Sequence, residues 1–204
     1  MTMKKIMFKE RYGLTQAVLE GKKTMTRRII PLCKNDLNFL KEWLFSSRTC
    51  LDGAYPAYNV GDELAVAQSY SNLREVLAKR DFKRTDALYD KFYRAMQMGE
   101  AHDGMPGWKN KMFVKGYLMP HRIRITDIRV ERLQDISEED CLREGVEKWI
   151  DCYIVTGIMC NHGKNNVCFD TPREAFAALI DRISGRGTCQ RNPWVYVYEF
   201  KLCQ

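Results

Sequence analysis

What the sequence lacks narrows the reading first. No apolar run approaches the roughly 18 residues of a membrane span. The N-terminal stretch MTMKKIMFKERYG returns to charge after three apolar residues. That is too few for the apolar region of a secretory signal, so a cytoplasmic protein is expected. Eight cysteines, Cys33, Cys50, Cys141, Cys152, Cys160, Cys168, Cys189 and Cys203, are spread thinly. Small secreted disulfide scaffolds pack theirs more densely, and reduced thiols are the expectation here. The tight C-x2-C hook of many zinc sites is also missing. Cys152, Cys160, His162 and Cys168 are ligand types that zinc accepts, but their spacing is C-x7-C-x-H-x5-C. The expectation is no metal and no cofactor. There is no internal repeat, and the strand candidates are not separated by the regular crossover helices of a doubly wound sheet.

What is present is a chain of 204 residues, enough for one domain with a sizeable core, or for a core domain with insertions. Hydrophobic residues make up 45% of it and mean hydropathy is −0.43, which fits a soluble globular protein rather than a disordered one. The formal charge of +7 favours polyanionic partners and speeds encounter with them. A generic basic surface carries the same signature.

The patterning places the elements. KKIMFKE is a short strand. In RYGLTQAVLEG, Leu14, Ala17 and Val18 recur at helical spacing, and Gly21 stands where a C-terminal glycine belongs. Residues 32–58 have no steady period and read as an irregular insertion. NVGDELAVAQSY gives a turn at 59–62, then a strand from Glu63 to about Gln68. Leu88, Phe92 and Met96 repeat every four residues and mark a surface helix. GEAHDGMPGWKNK is a glycine-rich loop. MFVKGYLMP and HRIRITDIRVERL look like strands, and in the second the alternation slips at Thr126–Asp127, as at a bulge. SEED opens a short helix capped by Ser137 and ending near Gly145. Residues 146–170 read as another irregular insertion. In TPREAFAALIDRISG, Thr171 caps, Pro172 takes the first turn, Glu174 completes the box and Gly185 ends the helix. Phe176, Leu179, Ile180 and Ile183 form its apolar stripe. NPWVYVYEFKL is a closing strand. The fold class expected is α+β: a small mixed β-barrel with flanking helices, one domain over 1–204, with insertions at about 32–58, 71–119 and 146–170.

The stretch EGKKTMTRR places four cations and two hydroxyls in nine residues, just after a helix. Alone it suits a solvated basic loop. An anion-binding cleft or an active site is compatible with it too. Trp194, Tyr196 and Tyr198 alternate on the last strand as core or cleft wall. Tyr70 and Trp43 could stack a base, or simply pack.

The spacing Gly21-x-Lys23-x-x-Thr26-x-Arg28 resembles the glycine-x-lysine-x-x-threonine/glutamate-x-arginine signature of ASCH domains, which are PUA-like. AVLEG before it, VGDELAV, RITDIRVERLQDISEEDCLREGV and NPWVYVYEF resemble the family's other segments in the same order. Together they cover about 5–31, 59–70, 120–146 and 171–202. This chain would be a larger, phage- or bacterial-type member. The resemblance implies a PUA-like barrel with a cleft beside the signature, and RNA or nucleotide-related chemistry. Some small bacterial members are amidohydrolases that deacetylate N4-acetylcytidine with the signature's lysine and threonine and a later glutamate. Carried over, these are Lys23, Thr26 and Glu144, with Glu138 and Glu139 in the same helix as rivals for the third role. The family often has an acidic residue after the Gly-Asp strand, where this chain has Gln68-Ser69-Tyr70.

The chemistry of such a set is clear. A threonine hydroxyl needs a base to take its proton. Lysine is a base only when neutral, which burial or neighbouring cations such as Lys22, Arg27 and Arg28 promote. A carboxylic acid can protonate the leaving amine and then activate water. Arg28 could hold a phosphate, a carboxylate or an oxyanion. Three functions follow as expectations. The first is binding of RNA or a modified nucleotide in a basic cleft through Gly21, Lys22, Lys23, Arg27, Arg28 and Tyr70. The second is an amidohydrolase using Thr26, Lys23 and Glu144. The third is a partner-binding protein of a mobile element, using the inserted helix.

Overall fold

The computed structural model describes residues 3–30, 56–78, 106–160 and 165–203. The periodic segment at Leu88, Phe92 and Met96, most of the 32–58 insertion, Trp43, Cys33, Cys50 and His162 lie outside the described residues. Seven strands are described: β1 (Lys5–Ile6), β2 (Met25–Ile29), β3 (Glu63–Val66), β4 (Arg122–Arg132), β5 (Glu147–Trp149), β6 (Cys152–Ile154) and β7 (Trp194–Cys203). The helices are α1 (Leu14–Leu19), α2 (Tyr70–Ala78), α3 (Glu138–Arg143), α4 (Pro172–Ser184) and α5 (Thr188–Arg191). Five strands form a mixed sheet in the order β1-β3-β4-β7-β2, and β5 and β6 form a separate antiparallel hairpin. The class is α+β. Among the described residues the five-stranded sheet has two ends and does not close into a barrel.

The chain divides into two compact units, each drawn from separated stretches of sequence. The first comprises Met1–Phe8, Glu63–Ile123 and Cys203–Gln204. In it β1 runs parallel to β3, with Lys5 beside Ala65 and Ile6 beside Val66. Ala65, Ala67, Tyr70, Leu73, Trp108, Val114, Leu118 and Met119 make its core. MFVKGYLMP is not a strand. It holds a 3-10 turn at Gly116–Leu118, where Gly116 passes so close to Met3 that a Cβ there would lie 2.6 Å from the Met3 carbonyl oxygen. The Lys5 ammonium fixes the same segment by donating to the carbonyls of Met112 (2.8 Å) and Val114 (2.7 Å).

The second unit comprises Lys9–Asp62 and Arg124–Leu202. Helices α3 and α4 begin and end where the sequence signals say, whereas the short α5 was not anticipated. Ser137 Oγ accepts from the Asp140 N–H and caps α3, and Thr171 Oγ accepts from the Glu174 N–H and caps α4. Each bond satisfies one of the amides that a helix start leaves without a partner. The α4 stripe buries Ala175, Phe176, Leu179 and Ile180, while Ile183 is only half-buried. Helix α4 packs against α3. Strand β7 runs antiparallel to β2, pairing Thr26 with Tyr198 and Arg28 with Tyr196. Two readings are corrected. Part of the 146–170 stretch is ordered as the β5–β6 hairpin, extended by a bridge between Tyr153 and Phe169. That bridge brings Cys152 and Cys168, expected as free thiols, to a Cα separation of 5.6 Å, and they form a disulfide.

Candidate functional site

The basic octet Gly21–Arg28 starts at the end of α1. Gly21 adopts φ 72°, a left-handed conformation that costs glycine little and lets the chain reverse. The amides of Lys22 and Lys23 then both donate to the Ala17 carbonyl. This turn throws Lys22 outward and Lys23 inward. Lys22 is exposed and pairs with Glu20 at 2.6 Å. Lys23 is buried, with 2% of its surface exposed.

Glu144 arrives from the other side, as the C-terminal cap of α3. Gly145 follows at φ 106°, and a Cβ on it would lie 2.7 Å from Leu14 Cδ2. The glycine thus permits close packing of the helix end on α1. Glu144 is 4% exposed. Lys23 Nζ donates to Glu144 Oε2 at 2.7 Å and to the Glu144 carbonyl at 2.6 Å. Glu138 and Glu139, in the first turn of the same helix, are exposed. Of the three acidic candidates in this helix, Glu144 is therefore the one that meets Lys23.

Arg27 closes the other half of that carboxylate. Its Nη1 donates to Glu144 Oε1 at 3.1 Å, and its Nε and Nη2 reach Glu131 Oε1 at 2.9 and 2.6 Å. Nη2 also reaches Asp140 Oδ2 at 3.0 Å. Glu131 and Asp140 are shared with Arg129, which also pairs with Glu199. Arg143 links Asp140 and Glu199 again, at 3.3 and 2.7 Å. Four cations, Lys23, Arg27, Arg129 and Arg143, thus alternate with four carboxylates, Glu131, Asp140, Glu144 and Glu199. The network runs from a dry end at Lys23 to a half-buried end at Arg129 and Arg143.

Electrostatics follow from this layout. Burial pulls the Lys23 pKa below the ordinary lysine value, the Glu144 carboxylate opposes that, and Arg28 and Arg27 add to the lowering. Burial also works against the charged form of Arg27, but Glu144, Glu131 and Asp140 outweigh it and hold Arg27 above its ordinary value. Arg143 first, and then Arg129, hold Glu199 below the usual carboxylate range, against burial. Cys141, buried under the network, is pushed up to about 12, chiefly by desolvation, and stays a neutral thiol.

Thr26 lies on the opposite face of β2 from Arg27, because successive side chains alternate. Residues directly opposite on paired strands share a face, so Thr26 and Arg28 share theirs with Tyr198 and Tyr196. Tyr58 packs edge-on against Tyr198, with centroids 5.4 Å apart, and the Ala57 N–H donates to the Tyr198 hydroxyl. Thr26 itself is 5% exposed. No hydrogen bond of its hydroxyl occurs among the described residues. Tyr70 is in the first unit, buried and stacked on Trp108. The structure therefore joins Lys23 to Glu144 and Arg27, and keeps Lys22 at the surface. There Lys22 lines a cavity of about 780 Å3 with Gln16, Glu20, Arg143 and Lys148. Among the described residues no cluster of His, Cys, Asp and Glu could hold a metal ion, and no helix is long and apolar enough to cross a membrane.

Glu131, Asp140, Arg129, Arg143 and Glu199 were not anticipated as part of this site. Two signals pointed to them. Arg129 and Glu131 stand two apart on β4, which puts two opposite charges on one face. Glu199 is the one carboxylate in the apolar run WVYVYEF. Comparison with protein-family models, curated proteins and solved structures finds no match for the chain.

Proposed function

We propose that the protein is an amidohydrolase acting on an N-acylated nucleobase or nucleoside of the N4-acetylcytidine type. The observation that carries this reading is the buried contact of 2.7 Å between Lys23 Nζ and Glu144 Oε2. A proton on that line can pass from the ammonium to the carboxylate. The transfer leaves an amine and a carboxylic acid side by side, which are the base and the acid that amide cleavage requires. Lys23, its pKa lowered by burial, takes the proton of Thr26 as its Oγ attacks the acyl carbon. Glu144 then gives its proton to the leaving amine as the C–N bond breaks. The acyl group is now an ester on Thr26, and the Lys23–Glu144 ion pair is restored. Water, deprotonated by Glu144, cleaves that ester, releases the carboxylic acid and regenerates the hydroxyl. Contacts of this kind are commonly long before substrate binds, so the free Thr26 hydroxyl is compatible with this role. Tyr196 and Tyr198, both buried, share the face of β2 that carries Thr26 and Arg28, and the half-buried Tyr58 packs against Tyr198.

The resemblance to ASCH domains supports the same assignment through Lys23, Thr26 and Glu144. The alternative, binding of RNA or a modified nucleotide without turnover, draws on the charge of +7. It is the weaker reading at this site, because Arg27 is committed to three carboxylates and Lys22 to Glu20. An open basic groove needs free cations. The test is acetate release from N4-acetylcytidine by the wild type and by Thr26→Ala. Loss of turnover in the variant supports the reading. Undiminished turnover in it removes Thr26 as nucleophile.

A further inference from the structure

The contacts of Arg27 exceed what a structural ion pair needs. A guanidinium has five N–H groups and no acceptor. In Arg27 they are directed at Glu131 (from Nε and Nη2), Asp140 (Nη2), Glu144 (Nη1) and the Met25 sulfur (Nη1, 3.1 Å). None is left for a ligand. Its side chain is 1% exposed, and its charge lies 5.9 Å from the centre of the Phe176 ring. The carboxylates come from β4 and from both ends of α3. Arg27 therefore ties β2, which carries Thr26, to the helix end that carries Glu144.

We propose that Arg27 is the positioning residue of this site: by holding Glu144 Oε1, it turns Oε2 toward Lys23 and sets the proton balance of the Lys23–Glu144 pair. The assignment rests on the amidohydrolase reading for its catalytic meaning, but its electrostatic part stands on geometry alone. Among the described residues, the charged groups facing Lys23 include Glu144 from the end of α3, and Arg28 and Arg27 from β2. Those facing Arg27 are Glu131 from β4 and Asp140 and Glu144 from α3, with the Cys141 thiol neutral beside them. A fixed positive charge beside Lys23 makes its protonated form less favourable. Removing that charge lets Lys23 hold its proton to higher pH, so the pair keeps to higher pH the single proton that it passes between Lys23 and Glu144. Lysine in place of Arg27 keeps one charge but has no planar fork, and its three N–H groups cannot replace the five of Arg27.

The test uses the full-length chain as wild type, Arg27→Gln, Arg27→Lys and Thr26→Ala. Two readouts are taken from pH 5 to 10: turnover of N4-acetylcytidine, and the NMR titration of Lys23 in protein carrying labelled lysine, assigned with Lys23→Ala. In Arg27→Gln the Lys23 titration, and with it the falling limb of turnover, should move to higher pH. In Arg27→Lys the limb should stay near that of the wild type while kcat falls about tenfold or more. If Arg27→Gln is too unstable to study, the Arg27→Lys pattern still decides, since an unshifted limb with unchanged kcat overturns the proposal. An unchanged Lys23 titration in Arg27→Gln overturns it as well. Wild type without turnover, or Thr26→Ala with full turnover, counts against the amidohydrolase reading alone, because the lysine titration then still tests Arg27.

Discussion

At the residue scale, the account turns on Glu144, which has a cation on each carboxylate oxygen and is almost fully buried. Bringing charges out of water is costly, and a buried pair repays the cost only while every partner stays in place. Glu144→Gln keeps the shape and removes the charge, leaving Lys23 and part of Arg27 without their carboxylate. We expect unfolding free energy to fall by about 3–5 kcal/mol, read from urea denaturation. A loss within about 0.5 kcal/mol, as at an ordinary surface site, would contradict the buried network. The octet's roles were only partly legible in the sequence. That Lys23 differs from Lys22 follows from the turn at Gly21, but nothing in the residue types says which lysine turns inward. Arg27 was read as one cation among several. Its real environment depends on Glu131 and Asp140, more than a hundred positions away in the chain. Such contacts leave no local pattern.

At the scale of elements, local signals were reliable wherever a backbone group had one obvious partner. Ser137 and Thr171 cap α3 and α4 as their spacing implies. The turn at Asn59–Asp62 and the strand after it were also legible, through the Asp62 carboxylate that accepts from the Asn59 N–H. MFVKGYLMP was misread because Val114, Leu118 and Met119 pack in the first unit's core without forming a ladder, while Met112 and Phe113 are exposed. The β5–β6 hairpin was missed because its tip breaks the strand pattern: Ile150 sits there at φ 51° with its side chain exposed. The α3 cap provides a quantitative check, since this helix carries both Asp140 and Glu144 to the site. Ser137→Ala should cost about 1 kcal/mol of stability. It should also reduce turnover, whereas Thr171→Ala, which frays a helix start away from Lys23, should cost similar stability and leave kcat near that of the wild type. Equal effects on kcat would mean that α3 has no special part in holding Glu144.

For the whole molecule, the network also sets a pH dependence. Glu199 has a folded pKa below its ordinary value because Arg143 and Arg129 favour its charged form. A group of this kind contributes stability above its unfolded pKa, and the contribution is lost as pH falls through the folded pKa. Wild type should therefore lose stability between about pH 5 and pH 3 more steeply than Glu199→Gln, in parallel urea titrations. Matching slopes would show that Glu199 is not held by the arginines. The α+β class and the order of the segments were legible along the chain. The division into two units was not, because each unit gathers stretches far apart in sequence.

The most direct measurement is the hydrolysis of N4-acetylcytidine by the wild type, Lys23→Ala and Thr26→Ala, each first shown to be folded by circular dichroism. The account predicts turnover by the wild type and its loss, by about a hundredfold or more, in both variants. A folded wild type that releases no acetate, or variants that release it as fast, would contradict it.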